Sequence, residues 1–312
     1  MSSSARLAIA TSFVALAACG PRMVETRRPP ASPTPATPAP ATTNTPAATP
    51  EVPAGTASWS VMWQPGFNEY VVTSAAAVRV EGDTTAPGGV RDDSVATRAR
   101  VSMRVSPASA PLGVLVTVDS FLVSPKRGAP LAPAIVVPLA FQAQIDEPRR
   151  RIEFLAEQSM LGAPCTSPAA TLLAVVRDLV PALPTPLPRG FRWSETTTHQ
   201  LCRSGVPLTV TSQHEWLVDG EAQVNGLSLV RLRRETQSTI AGTGTGRRAG
   251  ASIEGTSKAT AEYLLDPVAG RLHSATATSS AELRVRERAD AAPITTRQDA
   301  RQDVMLQAPA AQ

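Results

Sequence analysis

Between Val95 and Val105 the chain follows a period of two, unbroken from Arg98 onward. Val95, Thr97, Ala99, Val101, Met103 and Val105 fall on one side, with Arg98, Arg100, Ser102 and Arg104 on the other. A period of two with one apolar face predicts a strand whose other face meets water. The same rhythm recurs along the chain. It predicts strands at Trp59, Val61 and Trp63, at Tyr70 to Val80, at Gly113 to Val123 and from Ile135 to Ile145. Pro138 inside that last run points to an edge or a bulge. A short strand, Ile152 to Leu155, follows the turn at Asp146-Glu147-Pro148.

After Gly190 a second set is predicted: Trp193 to Leu201, Leu208 to Val218, Leu227 to Ile240, Ser252 to Leu265, Arg271 to Val285 and Ile294 to Leu306. Asp219-Gly220 reads as a hairpin turn. Asp266-Pro267 with Gly270 reads as another.

One stretch breaks the rhythm. Leu172, Val175, Val176 and Leu179 recur at helical spacing. Ser167 can cap that helix, Pro168 suits its first position, and Pro181 ends it. The fold class expected is therefore mainly β, a large curved antiparallel sheet or incomplete barrel, with one mid-chain helix over about 167–180. The strand at Phe141 to Asp146 resembles that at Ala261 to Asp266, so the body at 57–312 divides into two possibly related halves, 57–160 and 188–306, joined by the helix.

The first 56 residues follow a different pattern. Arg6 precedes a short apolar run, Leu7 to Ala18, of about a dozen residues. A membrane-spanning helix needs about 20. A basic start, a short apolar middle and small residues at the end describe a secretory signal. From Pro21 to about Thr56 the chain is dominated by Pro, Thr and Ala, which cannot build a core. As an extended spacer it would reach on the order of 100 Å. The expected organisation is a signal peptide at 1–18, a linker at 19–56 and the β-rich body.

Leu16-Ala17-Ala18-Cys19-Gly20 resembles the lipobox of bacterial prolipoproteins. The resemblance implies cleavage between Ala18 and Cys19 and acylation of the Cys19 thiol. It places the protein on the cell envelope, attached to the membrane through its lipid. Gly20 and Pro21, in place of an Asp after the Cys, imply the outer membrane. Two acyl chains suffice for stable attachment, at about 0.8 kcal/mol per buried CH₂.

Of the three Cys in the chain, two remain after Cys19. In an oxidising compartment Cys165 and Cys202 are expected to form a disulfide, which would pin the helix to the sheet. The alternative is a pair of free buried thiols. Neither Cys belongs to a C-x-x-C pair, so no metal site is expected.

Charge adds little. A formal charge of +4, carried almost wholly by Arg, identifies no partner, and an exported protein would rarely meet nucleic acid. His199, His214 and His273 show no metal-ligand spacing. The chain has no G-x-S-x-G elbow, and no Ser lies three residues before Lys126 or Lys258. Gly242 to Arg248 lacks the ending of a phosphate loop and reads as a hairpin loop. Arg149-Arg150-Arg151 reads as a solvated turn, the alternative being contact with anionic head groups. Trp59, Trp63, Trp193 and Trp216 are core residues or line a cavity.

Long antiparallel strands around a mid-chain helix, behind a lipid anchor, resemble the incomplete barrels of the lipoprotein-carrier (LolA/LolB-like) group. The resemblance is architectural and implies a sheet wrapped around a helix with an apolar cavity. No catalytic residue and no cofactor is expected. The function expected is a non-enzymatic envelope lipoprotein binding an apolar ligand or acyl chain. A structural module that binds an envelope protein and a hydrolase without a recognisable motif remain as alternatives.

Overall fold

A computed structural model describes residues 57–307, except 84–85, 107–111, 125, 127, 136, 147–150, 156–164, 166–168 and 182. The strands are β1 (Ser58–Trp59), β2 (Gly66–Glu81), β3 (Val90–Val105), β4 (Leu112–Ser124), β5 (Ala132–Pro133), β6 (Leu139–Asp146), β7 (Arg151–Phe154), β8 (Leu187–Pro188), β9 (Arg192–Arg203), β10 (Val206–Val224), β11 (Leu227–Thr243), β12 (Ser252–Asp266), β13 (Arg271–Arg286) and β14 (Ile294–Leu306). The helix α1 (Ala169–Arg177) lies between β7 and β8.

Every pairing in the main sheet is antiparallel, in the order β7-β6-β4-β3-β2-β14-β13-β12-β11-β10-β9. From β9 to β14 the chain is a plain meander. The last strand then pairs with β2, so the N-terminal strands extend the sheet beyond the C-terminal one. A pair of two-residue strands, β1 and β8, sits apart from it.

The sheet is a curled half-barrel. Seven strands separate β4 from β9 in the sheet, yet α1 packs on both. At about 4.8 Å per strand, eight steps across a flat sheet would cover about 38 Å. A helix is about 10 Å wide. The sheet therefore wraps around α1, whose Leu172, Leu173, Val175 and Val176 are 0–2% exposed. Leu179, one turn further on, is also buried and completes the predicted stripe.

Curvature has local causes. Register shifts occur at Arg100/Val101, Val218/Gly220 and Leu264/Leu265. Each adds a residue to one strand and bends it. Gly242 and Gly255 contribute differently. A Cβ on Gly255 would lie 2.1 Å from the Glu282 carbonyl oxygen, and one on Gly242 would lie 2.1 Å from that of Pro207. The neighbouring backbone closes in where the side chain is missing, as glycine kinks in curved sheets require.

Several sequence expectations are met. The inward residues of β3 are Val95, Thr97, Ala99, Val101, Met103 and Val105, all buried. Asp266 closes the β12–β13 turn by accepting hydrogen bonds from the Val268 and Ala269 amides at 3.0 and 2.9 Å. Three expectations are corrected. Asp219-Gly220 is a bulge inside β10, with Asp219 paired to Arg231 and Arg233 at 2.9 and 3.1 Å. The hairpin turn lies at Asn225-Gly226, both at positive φ (50° and 80°). That is the geometry a two-residue turn of type I′ demands. Ile135, Val137 and Pro138 precede β6 and lie outside it; Val137 is 64% exposed. Val61 and Trp63 are buried, but as a strap outside the strands, joined by the Gln64 amide to the Gly270 carbonyl at 3.3 Å. Arg149 and Arg150 lie outside the described residues, as do the caps Ser167 and Pro168.

Cys165, ahead of α1, is joined to Cys202 on β9 across 37 positions of chain. Helix and disulfide thus tie the mid-chain segment to one edge strand. Closing a loop of that length should stabilise the fold by about 4 kcal/mol. Reduction is expected to lower the urea midpoint accordingly and to release two titratable thiols. Two thiols reactive before reduction would refute the bond.

Candidate functional site

Antiparallel register converts the strand sequences into rungs that run across the concave face. One rung reads Trp193, Trp216, Arg234, Ala261, Ala277, Gln302, Ser74 and Thr97 from β9 to β3. The next reads Glu195, His214, Thr236, Ala259, Ser279, Ala300, Ala76 and Val95. The third reads Thr197, Ser212, Ser238, Ser257, Ala281, Gln298 and Val78. These three rungs form a belt of polar and small side chains.

Apolar clusters lie on both sides of the belt. One holds α1 with Tyr70, Val218, Leu232, Tyr263 and Leu272. The other holds Leu201, Leu208, Val210, Ile240, Ile253 and Leu283. At the α1 end the interior is filled by side chains. Along the belt, Ala277, Ser279 and Ala281 are partly open to solvent. Their small side chains leave a shallow surface hollow whose enclosed part has room for about one water, bordered by Asp178, Arg234, Ala259, Ala277, Ser279, Ala300, Arg301 and Gln302.

Arg234 is the centre of the wall. Its guanidinium donates to both carboxylate oxygens of Asp178, at 2.8 and 3.0 Å. It also lies 5.2 Å from the ring centroids of both Trp216 and Tyr263. A bidentate pair between aromatic faces is the arrangement in which a buried guanidinium is best compensated. Asp178 directly follows α1, so this pair docks the helical segment on the sheet. Burial pushes the Asp178 carboxyl up, but the charge and hydrogen bonds of Arg234 outweigh that and hold it below the usual range. For Arg234, burial acts downward, and Asp178 with its other acidic neighbours raises it further above its ordinary value.

The aromatic ladder continues to the edge of the sheet. Trp216 stacks on Trp193 at 5.3 Å between centroids, and Trp193 on Phe191 at 5.6 Å. Trp216 Nε1 donates to Glu195 Oε1 at 3.0 Å. Burial raises the Glu195 carboxyl above its ordinary value despite that bond. Burial also raises the Tyr263 phenol.

His214 is held from both sides. Its Nε2 lies 3.0 Å from Thr197 Oγ1 and its Nδ1 2.9 Å from Thr236 Oγ1. Ser212 and Ser238 share a hydrogen bond at 2.8 Å. Burial, with Arg234 nearby, depresses His214 to about 4. His199 is buried too, and burial depresses it to about 3. Both imidazoles are neutral at pH 7. Gln298 is 2% exposed, and neither end of its amide has a hydrogen-bond partner among the described residues.

The sequence-predicted sites stand as follows. Ala18 and Cys19 lie outside the described residues. Cys165 and Cys202 are brought together. Trp63 and Trp216 are buried, while Trp59 and Trp193 are partly so. His273 is half-buried on β13. Among the described residues no group of His, Cys, Asp and Glu could hold a metal ion, and no helix is long and apolar enough to cross a membrane. Arg234, Asp178, Glu195 and Gln298 were not singled out from sequence. The signal was the continuation of period two: counting on from Leu232 by twos puts Arg234, Thr236 and Ser238 inward before Ile240.

No protein-family model and no curated protein matches the chain. Among solved structures, it is similar to that of DynF from the dynemicin biosynthesis pathway of Micromonospora chersina. The identity is 12% over 82% of this chain and 88% of that one, with a TM-score of 0.24. At that score the likeness carries no argument about function.

Proposed function

We propose that this protein is a non-enzymatic envelope lipoprotein, moored through acylated Cys19 and a Pro-rich spacer. Its half-barrel holds a small amphipathic ligand in the hollow beside Arg234. The observation that carries this reading is the run of Ala259, Ala261, Ala277, Ser279, Ala281 and Ala300 across adjoining strands of an otherwise filled concave face. Small side chains there keep open a space that larger ones would close. Beside that space stand the Arg234–Asp178 ion pair and the Gln302 amide, with the rings of Trp216 and Tyr263 buried behind Arg234. A few convergent polar groups against apolar walls are what small-molecule sites are built from. Because α1 fills the apolar end, the ligand sits along the belt.

The test uses anilinonaphthalene sulfonate, an anionic amphiphile whose emission rises in apolar surroundings. The full chain carrying Cys19→Ser is expected to take up the dye saturably and to leave the membrane fraction. Adding Ser279→Phe, which places a ring between Ala259 and Ala300, should abolish uptake without lowering the Tm. Equal uptake by the Phe variant would refute the hollow as the site, and a Cys19→Ser chain still bound to membranes would refute the anchor.

A further inference from the structure

Beside the second apolar cluster lies a charge that nothing among the described residues balances. Arg203 is the last residue of β9, inward-facing opposite Val206. It is 3% exposed. Its Nε and both terminal nitrogens lack a hydrogen-bond partner among the described residues. The inward residue before it on β9 is Leu201 and its partner on β10 is Val206, both members of that cluster. A guanidinium carries five donors and stays charged. Burying one unpaired is strongly unfavourable, so it needs an acidic partner or an anion. Arg234, equally enclosed, has Asp178; Arg203 has no ion pair among the described residues.

The loop above this end adds more positive charge. Gly246–Arg248 forms a 3-10 turn between β11 and β12, with Arg247 and Arg248 exposed. Arg248 Cγ lies 3.4 Å from where a Cβ of Gly205 would stand, so its side chain lies on the Ser204-Gly205 turn that follows Arg203. Ala251, at the foot of the loop, packs into the same apolar cluster. Burial lowers the Arg203 guanidinium to about 9, the direction expected of a cation without a counter-charge.

We propose that Arg203 anchors an anion site: a phosphate or carboxylate group enters under the β11–β12 loop and takes two parallel hydrogen bonds from its guanidinium, with Arg248 covering it. Planar bidentate recognition of such groups is what arginine does best. The site is separate from the belt, because Leu208, Val210, Ile240 and Leu283 stand between them.

Thermal unfolding of the full chain tests this with inorganic phosphate, chloride at matched ionic strength, and vesicles of phosphatidic acid or phosphatidylcholine. Phosphate or phosphatidic acid is expected to raise the wild-type Tm, since a ligand that binds the folded state stabilises it. A shift with phosphate identifies a soluble anion, and one with phosphatidic-acid vesicles alone identifies a lipid head group. Arg203→Met removes the charge at similar volume. It should raise the unliganded Tm by about 5 °C and abolish the anion shift. Arg248→Ala, at the surface, should weaken the shift while leaving the unliganded Tm unchanged. Ser279→Phe should leave the shift intact, which separates this site from the hollow beside Arg234. No shift with any anion, a shift that survives Arg203→Met, or a lowered unliganded Tm in that variant would each overturn the proposal.

Discussion

Asp178→Asn is expected to destabilise the fold by about 3–5 kcal/mol, the range for breaking a buried pair by removing one partner. Asn keeps the shape of Asp but cannot balance the guanidinium of Arg234, whose side chain is 8% exposed. The reverse change, Arg234→Met, should cost about half as much. The Asp178 side chain is 21% exposed and can turn toward water. Combining the two should recover most of the loss, because the doubly neutral site buries no charge. A double-mutant cycle in urea should therefore give a coupling energy of about 2 kcal/mol or more. Single variants that each lose under about 1 kcal/mol would show that the pair does not dock α1 on the sheet.

That pair also marks where sequence reading stops. Asp178 and Arg234 are 56 positions apart, and nothing local to either announces the other. What local pattern can express is the face of each strand. In β3 a run of six inward positions is readable because every outward neighbour after Ala96 is polar. β4 is harder. Its inward set shifts from Val114, Val116 and Val118 to Phe121 and Val123, because the bulge opposite Arg100/Val101 adds one residue. Asp219-Gly220 misleads for a similar reason: a Gly that permits a turn also permits a bulge. Only the partner strand distinguishes the two, through Arg231 and Arg233. The Asn-Gly pair six residues later is the stronger turn signal, and the structure uses it. The contact between β14 and β2 is not written in either strand, since alternation specifies a face and not a neighbour.

The belt was legible in part. Polar residues at inward positions of several successive strands cannot all be solvated surface, and their coincidence on shared rungs follows from hairpin register alone. Hairpin connections at Ser204-Gly205, Asn225-Gly226, residues 244–251 and residues 267–270 fix which residues of β9 to β13 face one another. With those turns placed correctly, His214 falls beside Thr236 and Trp216 beside Arg234. A turn placed at Asp219-Gly220 instead moves β11 out of that register, and the belt dissolves into unrelated polar residues.

The belt also sets how the fold responds to acid. His214 and His199 are neutral in the folded protein, depressed by burial to about 4 and about 3. In the unfolded chain an ordinary histidine titrates near 6.5. Below that pH the unfolded state binds the extra protons, so stability is full above about 6.5 and falls as the pH drops toward 4. Each histidine contributes a slope of about 1.4 kcal/mol per pH unit in that window. Together they should remove several kcal/mol by pH 4.5. The groups facing them act in known directions. Arg234 opposes protonation of His214, and Arg177 opposes that of His199, whereas Asp178 favours both. Glu195, raised by burial, takes up a proton more readily when folded and so offsets part of the loss near the acid end. Asp178, held low, begins to withdraw its support as the pH enters the ordinary carboxylate range, where the unfolded chain's Asp takes up a proton first. Urea midpoints measured from pH 7.5 to 4.5 should therefore fall steeply, beginning near 6.5 and not near 4. His214→Gln can still bond Thr197 or Thr236 but cannot titrate, and it should remove about half of that slope. A midpoint that stays level down to pH 5 would mean that these imidazoles are reached by water, and the belt would then be an open polar surface instead of the enclosed wall of a site.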